Sequence, residues 1–123
     1  MGFHMLAPTE SAGDHDLRRL RTLYRALGDE TRLRIIGILA EVGPLPVGEL
    51  STRVGLSQPL ISWHLRILRL AGVIDTRRQG REAICRLRTA AFEELHEAEA
   101  RLIGGTAGIS ATADAPGTVA DVG

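Results

Sequence analysis

Between residues 57 and 66 the chain reads Ser57-Gln58-Pro59-Leu60-Ile61-Ser62-Trp63-His64-Leu65-Arg66. Gln58 and Ser62 are four apart, as are Ser62 and Arg66, so on a helix the three occupy one face. A glutamine amide sets a donor beside an acceptor, the pattern that adenine displays in the major groove of DNA. Serine donates or accepts as its partner requires, and arginine reaches guanine or a phosphate oxygen. Pro59 offers an apolar edge to a thymine methyl. Ser57, Gln58, Pro59, Ser62 and Arg66 together have the chemistry of base reading, provided a helix turns them outward.

Neighbouring residues extend that chemistry. His64 has two readings that stand side by side, a phosphate contact and a capping or packing histidine. Trp63 is read as packing under the helix. Arg77, Arg78 and Arg81 surround Gly80, where arginine suits phosphates or a narrow minor groove. A solvated turn is the alternative for these three. A hydrolase would need Ser57 or Ser62 beside His64 and an acid. No nucleophile elbow, glycine-rich phosphate loop or HExxH motif occurs, so an enzyme is not expected.

The elements that must position these residues follow from periodicity and punctuation. Leu17, Leu20, Leu23, Tyr24 and Leu27 predict an amphipathic helix over 16–27, ended by Gly28. Asp29 caps a second helix whose apolar stripe is Leu33, Ile36, Leu39 and Ala40. Gly43-Pro44 and Pro46 break it. A short helix over 47–54 turns Val47, Leu50 and Val54 inward, and Gly55 suits the left-handed residue at its end. Ser57 caps the next helix, and Pro59 fits a first turn that has no use for its missing N–H. Ile61, Leu65 and Leu68 line its buried face, and Gly72 stops it. Val47–Ala71 is therefore a helix-turn-helix.

Two strand-like runs, 73–77 and 83–88, flank a turn at Gly80 and form a wing. Thr89 caps a last helix over 90–103, with Phe92, Leu95, Ala98, Leu102 and Ile103 on one face. The predicted fold is mainly α, a winged helix-turn-helix in the order α-α-α-α-β-β-α over residues 16–103. Residues 1–15 are read as a flexible arm, in which Met5 is taken as the natural start and Met1–His4 is set aside. Residues 104–123 are read as a disordered tail. The first and last helices carry more apolar surface than a domain of this size covers, so a homodimer through them is expected.

Taken as a whole, composition argues against DNA. The 123 residues have a formal net charge of zero and pI near 6.9. The zero is a cancellation. Residues 51–88 hold eight arginines against Asp75 and Glu82, a net charge of +6, whereas residues 89–123 are net −5. The basic third coincides with the helix-turn-helix and wing, where nucleic acid would lie. All fifteen basic residues are arginine, as a GC-rich genome would also produce. No run of about 18 apolar residues exists, so no membrane partner is expected. The single cysteine excludes an internal disulfide framework and fits a reducing cytoplasm.

Three blocks then carry a resemblance. Ala26-Leu27-Gly28-Asp29-Glu30-Thr31-Arg32-Leu33-Arg34-Ile35, the run from Leu56 to Ile74, and Arg78-Gln79-Gly80-Arg81 occur in the order found in the ArsR/SmtB winged helix-turn-helix regulators. The chain resembles that family over residues 17–103. The resemblance implies a cytoplasmic, homodimeric transcriptional regulator, usually a repressor, that binds a pseudo-palindromic double-stranded DNA operator and is released by an inducer. The alternatives kept are a winged-helix protein-interaction module and a regulator answering a non-metal signal or a partner protein.

The resemblance also frames the inducer. The family's thiolate site lies in a Cys-x-Cys-type motif on the third helix. The matching stretch, Leu45-Pro46-Val47-Gly48-Glu49-Leu50, has no cysteine. Cys85 alternates with core positions and is read as a small buried hydrophobe, with a lone thiol sensor as the alternative. A second family site joins Asp-x-His and His-x-x-Glu halves across the dimer. Glu94-Leu95-His96 resembles the first half, and Ala107 and Ser110 stand where the second needs ligands. His15, Asp16, His96 and Glu99 would make a nitrogen and oxygen site suited to Ni or Zn, with an acidic solvated helix as the alternative.

Overall fold

A computed structural model describes residues 12–104. Helix α1 spans Ala12–Leu27, α2 Glu30–Val42, α3 Val47–Val54, α4 Gln58–Leu70 and α5 Ala90–Gly104. Strands β1 (Leu45–Pro46), β2 (Ile74–Gln79) and β3 (Glu82–Leu87) form one antiparallel sheet in the order β1-β3-β2. This is the winged helix-turn-helix expected, mainly helical with a small sheet. The arm over 1–11 and the tail over 105–123 lie outside the described residues. α1 begins at Ala12, so residues 12–15 are helical rather than part of an arm.

The local signals act as their chemistry demands. The Asp29 carboxylate accepts the Arg32 backbone N–H at 3.1 Å, and the Ser57 hydroxyl accepts that of Leu60 at 3.4 Å. Gly55 ends α3 at φ 81°, in the left-handed region that side chains avoid. Gly80 at φ 67° turns the wing, with Gln79 opposite Glu82, so the turn has two residues; toward it β2 runs two residues and β3 one residue further than expected, and each is one residue shorter at its other end.

The chain divides into two compact units. One is Thr22–Glu93 and holds the helix-turn-helix and wing. Its core is aliphatic: Leu23, Ile35, Leu50, Ile61, Leu68, Val73, Ile74 and Cys85 are almost wholly buried. Burial pushes the Cys85 thiol up to about 11, so it stays protonated and packs as a hydrophobe. The other unit has residues 12–21 and 94–104 within the described range. There Leu20, Leu95 and Ala98 are buried, and Arg19 grips Glu94 through two nitrogens at 2.7 and 3.1 Å. Leu17, Leu102 and Ile103 stay exposed, Ile103 at 81 %.

Two expectations need correction. The buried face of α2 is Arg32, Ile35 and Leu39, while Leu33 is 52 % exposed and Ala40 faces solvent. The stripe is rotated because its first member is an arginine, which hydropathy counts as outward. β1 was not expected at all. Leu45 and Pro46 pair with Cys85 and Ile84 as a two-residue edge strand. Proline is tolerated there because an edge strand needs fewer N–H donors.

The Asp29 cap gives a pH prediction. The Arg32 backbone N–H, aided by the Arg32 charge, holds its carboxyl below the ordinary carboxylate range. A lowered folded-state pKa contributes stability that is complete above the unfolded value and lost as pH falls through the folded one. Asp29→Asn keeps a capping oxygen but removes that titration. Its urea midpoint is expected to lie nearer to the wild type at acid pH than at neutral pH. A gap that does not narrow on acidification would refute the assignment.

Candidate nucleic-acid interface

The N-terminal half of α4 and the wing enclose a cleft of about 370 Å³. Gln58 and Ser62 line its α4 side and Arg78 and Arg81 its wing side. Helical spacing places Gln58, Ser62 and Arg66 in one row, and all three are exposed. They are held outward because Ile61, Leu65 and Leu68, on the opposite face, are at most 2 % exposed. Ser57 and Pro59 are also exposed at the helix start. The Ser57 hydroxyl already caps the helix, so its remaining lone pair and proton are what it can offer a partner.

Charge in this unit is unevenly committed. Arg53 bonds Glu49 at 3.0 Å, Arg86 bonds Asp75 at 3.3 Å, and Arg88 donates to the Gly72 carbonyl at 2.7 Å. Arg66, Arg78 and Arg81 are exposed beside the cleft or on its helix. Arg77 is not brought together with them. It pairs with Ile84 in the ribbon, whereas Arg78 pairs with Ala83, so the pleat sends the two side chains to opposite faces. Arg77 lines a separate hollow of about 240 Å³ with Asp75, Gln79, Ile84 and Arg86.

Of the two readings of His64, the structure takes the packing one and not the DNA contact. His64 is 6 % exposed and faces inward, so it offers nothing to a phosphate. Arg32 Nη1 lies 3.1 Å from its Nδ1, and Asp29 Oδ2 lies 3.8 Å from the same atom. Trp63, expected to pack beneath the helix, is 55 % exposed. It lies edge-on to His64, with ring centres 4.9 Å apart, and takes the Arg32 guanidinium at 5.9 Å from its own centre.

The structure adds Pro46, Val47, Gly48, Glu82 and Ala83 to the cleft, and two of these, Gly48 and Glu82, bear on its chemistry. A Cβ built on Gly48 would come within 3.3 Å of Gln58 Nε2, so the glycine leaves room for the Gln58 amide. The signal in sequence was present only in retrospect, since a glycine in the first turn of a short helix has no reason of its own to be there. Glu82 places one carboxylate among the arginines, where it is able to accept from a cytosine amine.

The nitrogen and oxygen metal set is not assembled within one chain. Both Asp16 oxygens bond Arg101, at 2.7 and 3.0 Å, and that guanidinium holds the Asp16 carboxyl below the ordinary range. His96 Nδ1 lies 3.3 Å from Glu99 Oε1 as a separate pair. Among the described residues no group of three or more His, Cys, Asp or Glu side chains is placed to hold a metal ion. Within one chain, His15, Asp16, His96 and Glu99 are thus not gathered around one point. Among them, too, no helix is long and apolar enough to cross a membrane.

Comparison with known proteins decides the family. The model for "Bacterial regulatory protein, arsR family" matches residues 29–76, from the Asp29 cap to the first strand of the wing. The transcriptional activator HlyU of Vibrio cholerae is 36 % identical over 80 residues, covering 65 % of this chain and 73 % of that one. The chain belongs to the ArsR family. The arsenical resistance operon repressor of Escherichia coli is 48 % identical over 59 residues, 48 % of this chain and 50 % of the relative. The chain thus spans about half the length of that relative. Among solved structures, an ArsR-like transcriptional regulator from Rhodococcus superposes with a TM-score of 0.66 at 27 % identity, covering 74 % of this chain and 84 % of that one. These family relatives are named as regulators, not enzymes, in accord with the missing catalytic motifs.

Proposed function

We propose that this ArsR-family chain is a cytoplasmic transcriptional repressor that binds a pseudo-palindromic DNA operator as a homodimer. The observation that carries the reading is the cleft, with Gln58 and Ser62 on one side and Arg78 and Arg81 on the other. A recognition helix enters the major groove by its N-terminal residues, and arginines on an adjoining wing suit the phosphates or the narrow groove beside it. Gln58 reads adenine, Ser62 and Arg66 extend the row, Ser57 and Pro59 border it, and Arg78 and Arg81 anchor the backbone. Exposed Leu17, Leu102 and Ile103 give the unit formed by α1 and α5 an apolar face that a second copy would cover. Repression follows the names of the Escherichia coli relative and of the biofilm growth-associated repressor of Xylella fastidiosa, 36 % identical over 73 residues.

This reading needs no metal step; within one chain both Asp16 oxygens bond Arg101. Thiolate chemistry of the kind that soft ions require has only the buried, protonated Cys85 to draw on. A protein-interaction module has no observation in its favour to match the exposed arginines beside α4.

The test is binding to duplex DNA across a salt series. A palindrome selected by the protein from a random library should bind with an affinity that falls steeply as salt rises. Failure to bind any duplex at low salt would end the proposal. Gln58→Ala should relax the preference at one base pair by about 1–3 kcal/mol and leave binding to random duplex unchanged. Equal losses on both DNAs would remove Gln58 from base reading.

A further inference from the structure

The buried arginine and histidine are unused by the interface yet sit directly behind it. Arg32, 8 % exposed, makes three side-chain contacts with two other helices. Its Nε donates to the Ala26 carbonyl at 2.7 Å and its Nη2 to the Arg25 carbonyl at 3.3 Å. Those carbonyls belong to the last turn of α1; that of Arg25 also accepts the Gly28 backbone N–H at 3.4 Å, while a helix end leaves a carbonyl such as that of Ala26 without an intrahelical partner. The third contact is Nη1 to His64 Nδ1 at 3.1 Å, on α4. A guanidinium has only donors, so Nδ1 must be the acceptor and the ring proton must sit on Nε2. The charged groups facing the ring among the described residues are Arg32 and, at 3.8 Å, the α2 cap Asp29.

We infer that His64 is a positioning residue for DNA reading. As the neutral Nε2–H tautomer it accepts from Arg32, and this clamp fixes the angle of α4 against α1 and α2. His64 follows Ser62 by two positions and precedes Arg66 by two, so a rotation of the helix at His64 moves the whole reading row. Trp63, edge-on to the ring, closes the clamp from the solvent side. The inference rests on the proposed function for its consequence, but the tautomer and the hydrogen bond are properties of the protein without DNA.

The experiment has two independent readouts on the full chain. Ring nitrogen NMR of uniformly labelled protein reports the tautomer directly. A protonated Nε2 and a bare Nδ1 are expected, and a proton on Nδ1 would overturn the clamp. Binding is then compared on the selected palindrome and on random duplex, at a temperature where circular dichroism shows every variant folded. His64→Leu, which has no acceptor, should lose about tenfold of its preference for the palindrome while keeping its affinity for random duplex. His64→Asn, which restores an oxygen near the Nδ1 position, should recover most of it. A folded His64→Leu protein with full preference would refute the positioning role. If Leu destabilises the fold too far to assay, the Asn variant decides through its retained or lost preference. If wild-type protein binds no duplex, the proposed function fails while the NMR result still decides the tautomer and the bond.

Discussion

Arg32→Ala is expected to lower unfolding free energy by about 3 kcal/mol. The side chain bridges three helices: it grows from α2, donates to the Ala26 and Arg25 carbonyls of α1, and reaches His64 on α4. Truncation takes the donor from the Ala26 carbonyl and from His64 in a buried place, and leaves the Arg25 carbonyl only its 3.4 Å bond from the Gly28 N–H; an orphaned buried group costs more than a hydrogen bond gains. It also removes a cation that lies against the negative end of the α1 dipole and over the Trp63 ring. For a domain of this size the loss amounts to a fall of roughly 10–20 °C in Tm. Arg32→Lys should recover little, since one ammonium cannot span three acceptors held in a planar fork. Thermal and urea unfolding of both variants check this. A loss below about 1 kcal/mol for Arg32→Ala would mean that water replaces the arginine at no cost.

The same residue explains what the sequence could and could not disclose. The helix-turn-helix was legible because its punctuation is chemical. Asp29, Gly55, Ser57 and Gly80 each do something at their position that few residues can do, and the core face of α4 is a run of aliphatic residues at helical spacing. The outward row of Gln58, Ser62 and Arg66 follows from that face by geometry alone. α2 was misjudged because its inward stripe opens with Arg32, and a period read from hydropathy turns such a helix the wrong way. His64 was undecided for a related reason. An inward histidine needs a buried donor, and nothing in the local sequence shows that a residue thirty-two positions earlier provides it. β1 was hidden by its prolines, which signal a break in one dimension and an edge strand only when β3 is beside them. Arg77 was separable in principle, since alternation along β2 puts it opposite Arg78, but the cluster of charges drew the three together.

That separation gives the second large effect. Reversing both wing arginines that line the cleft, Arg78→Glu with Arg81→Glu, is expected to weaken binding to any duplex by about 100-fold or more at low salt. Each arginine that meets a phosphate displaces a condensed counterion, so losing two should also reduce the slope of log affinity against log salt by roughly 1.8 per protomer. The two new carboxylates add repulsion beside Glu82, already at the cleft. Both positions are exposed, so the fold should survive, and an unchanged Tm would attribute the loss to the interface. Arg77→Glu is the decisive control. It changes the charge of the same ribbon by the same amount per residue, one position from Arg78, but on the face turned away from α4. If wing charge acts only through the general field of the protein, Arg77→Glu and Arg78→Glu should weaken binding equally. If the cleft is the contact surface, Arg78→Glu should cost several times more than Arg77→Glu, and the difference should shrink as salt screens the field.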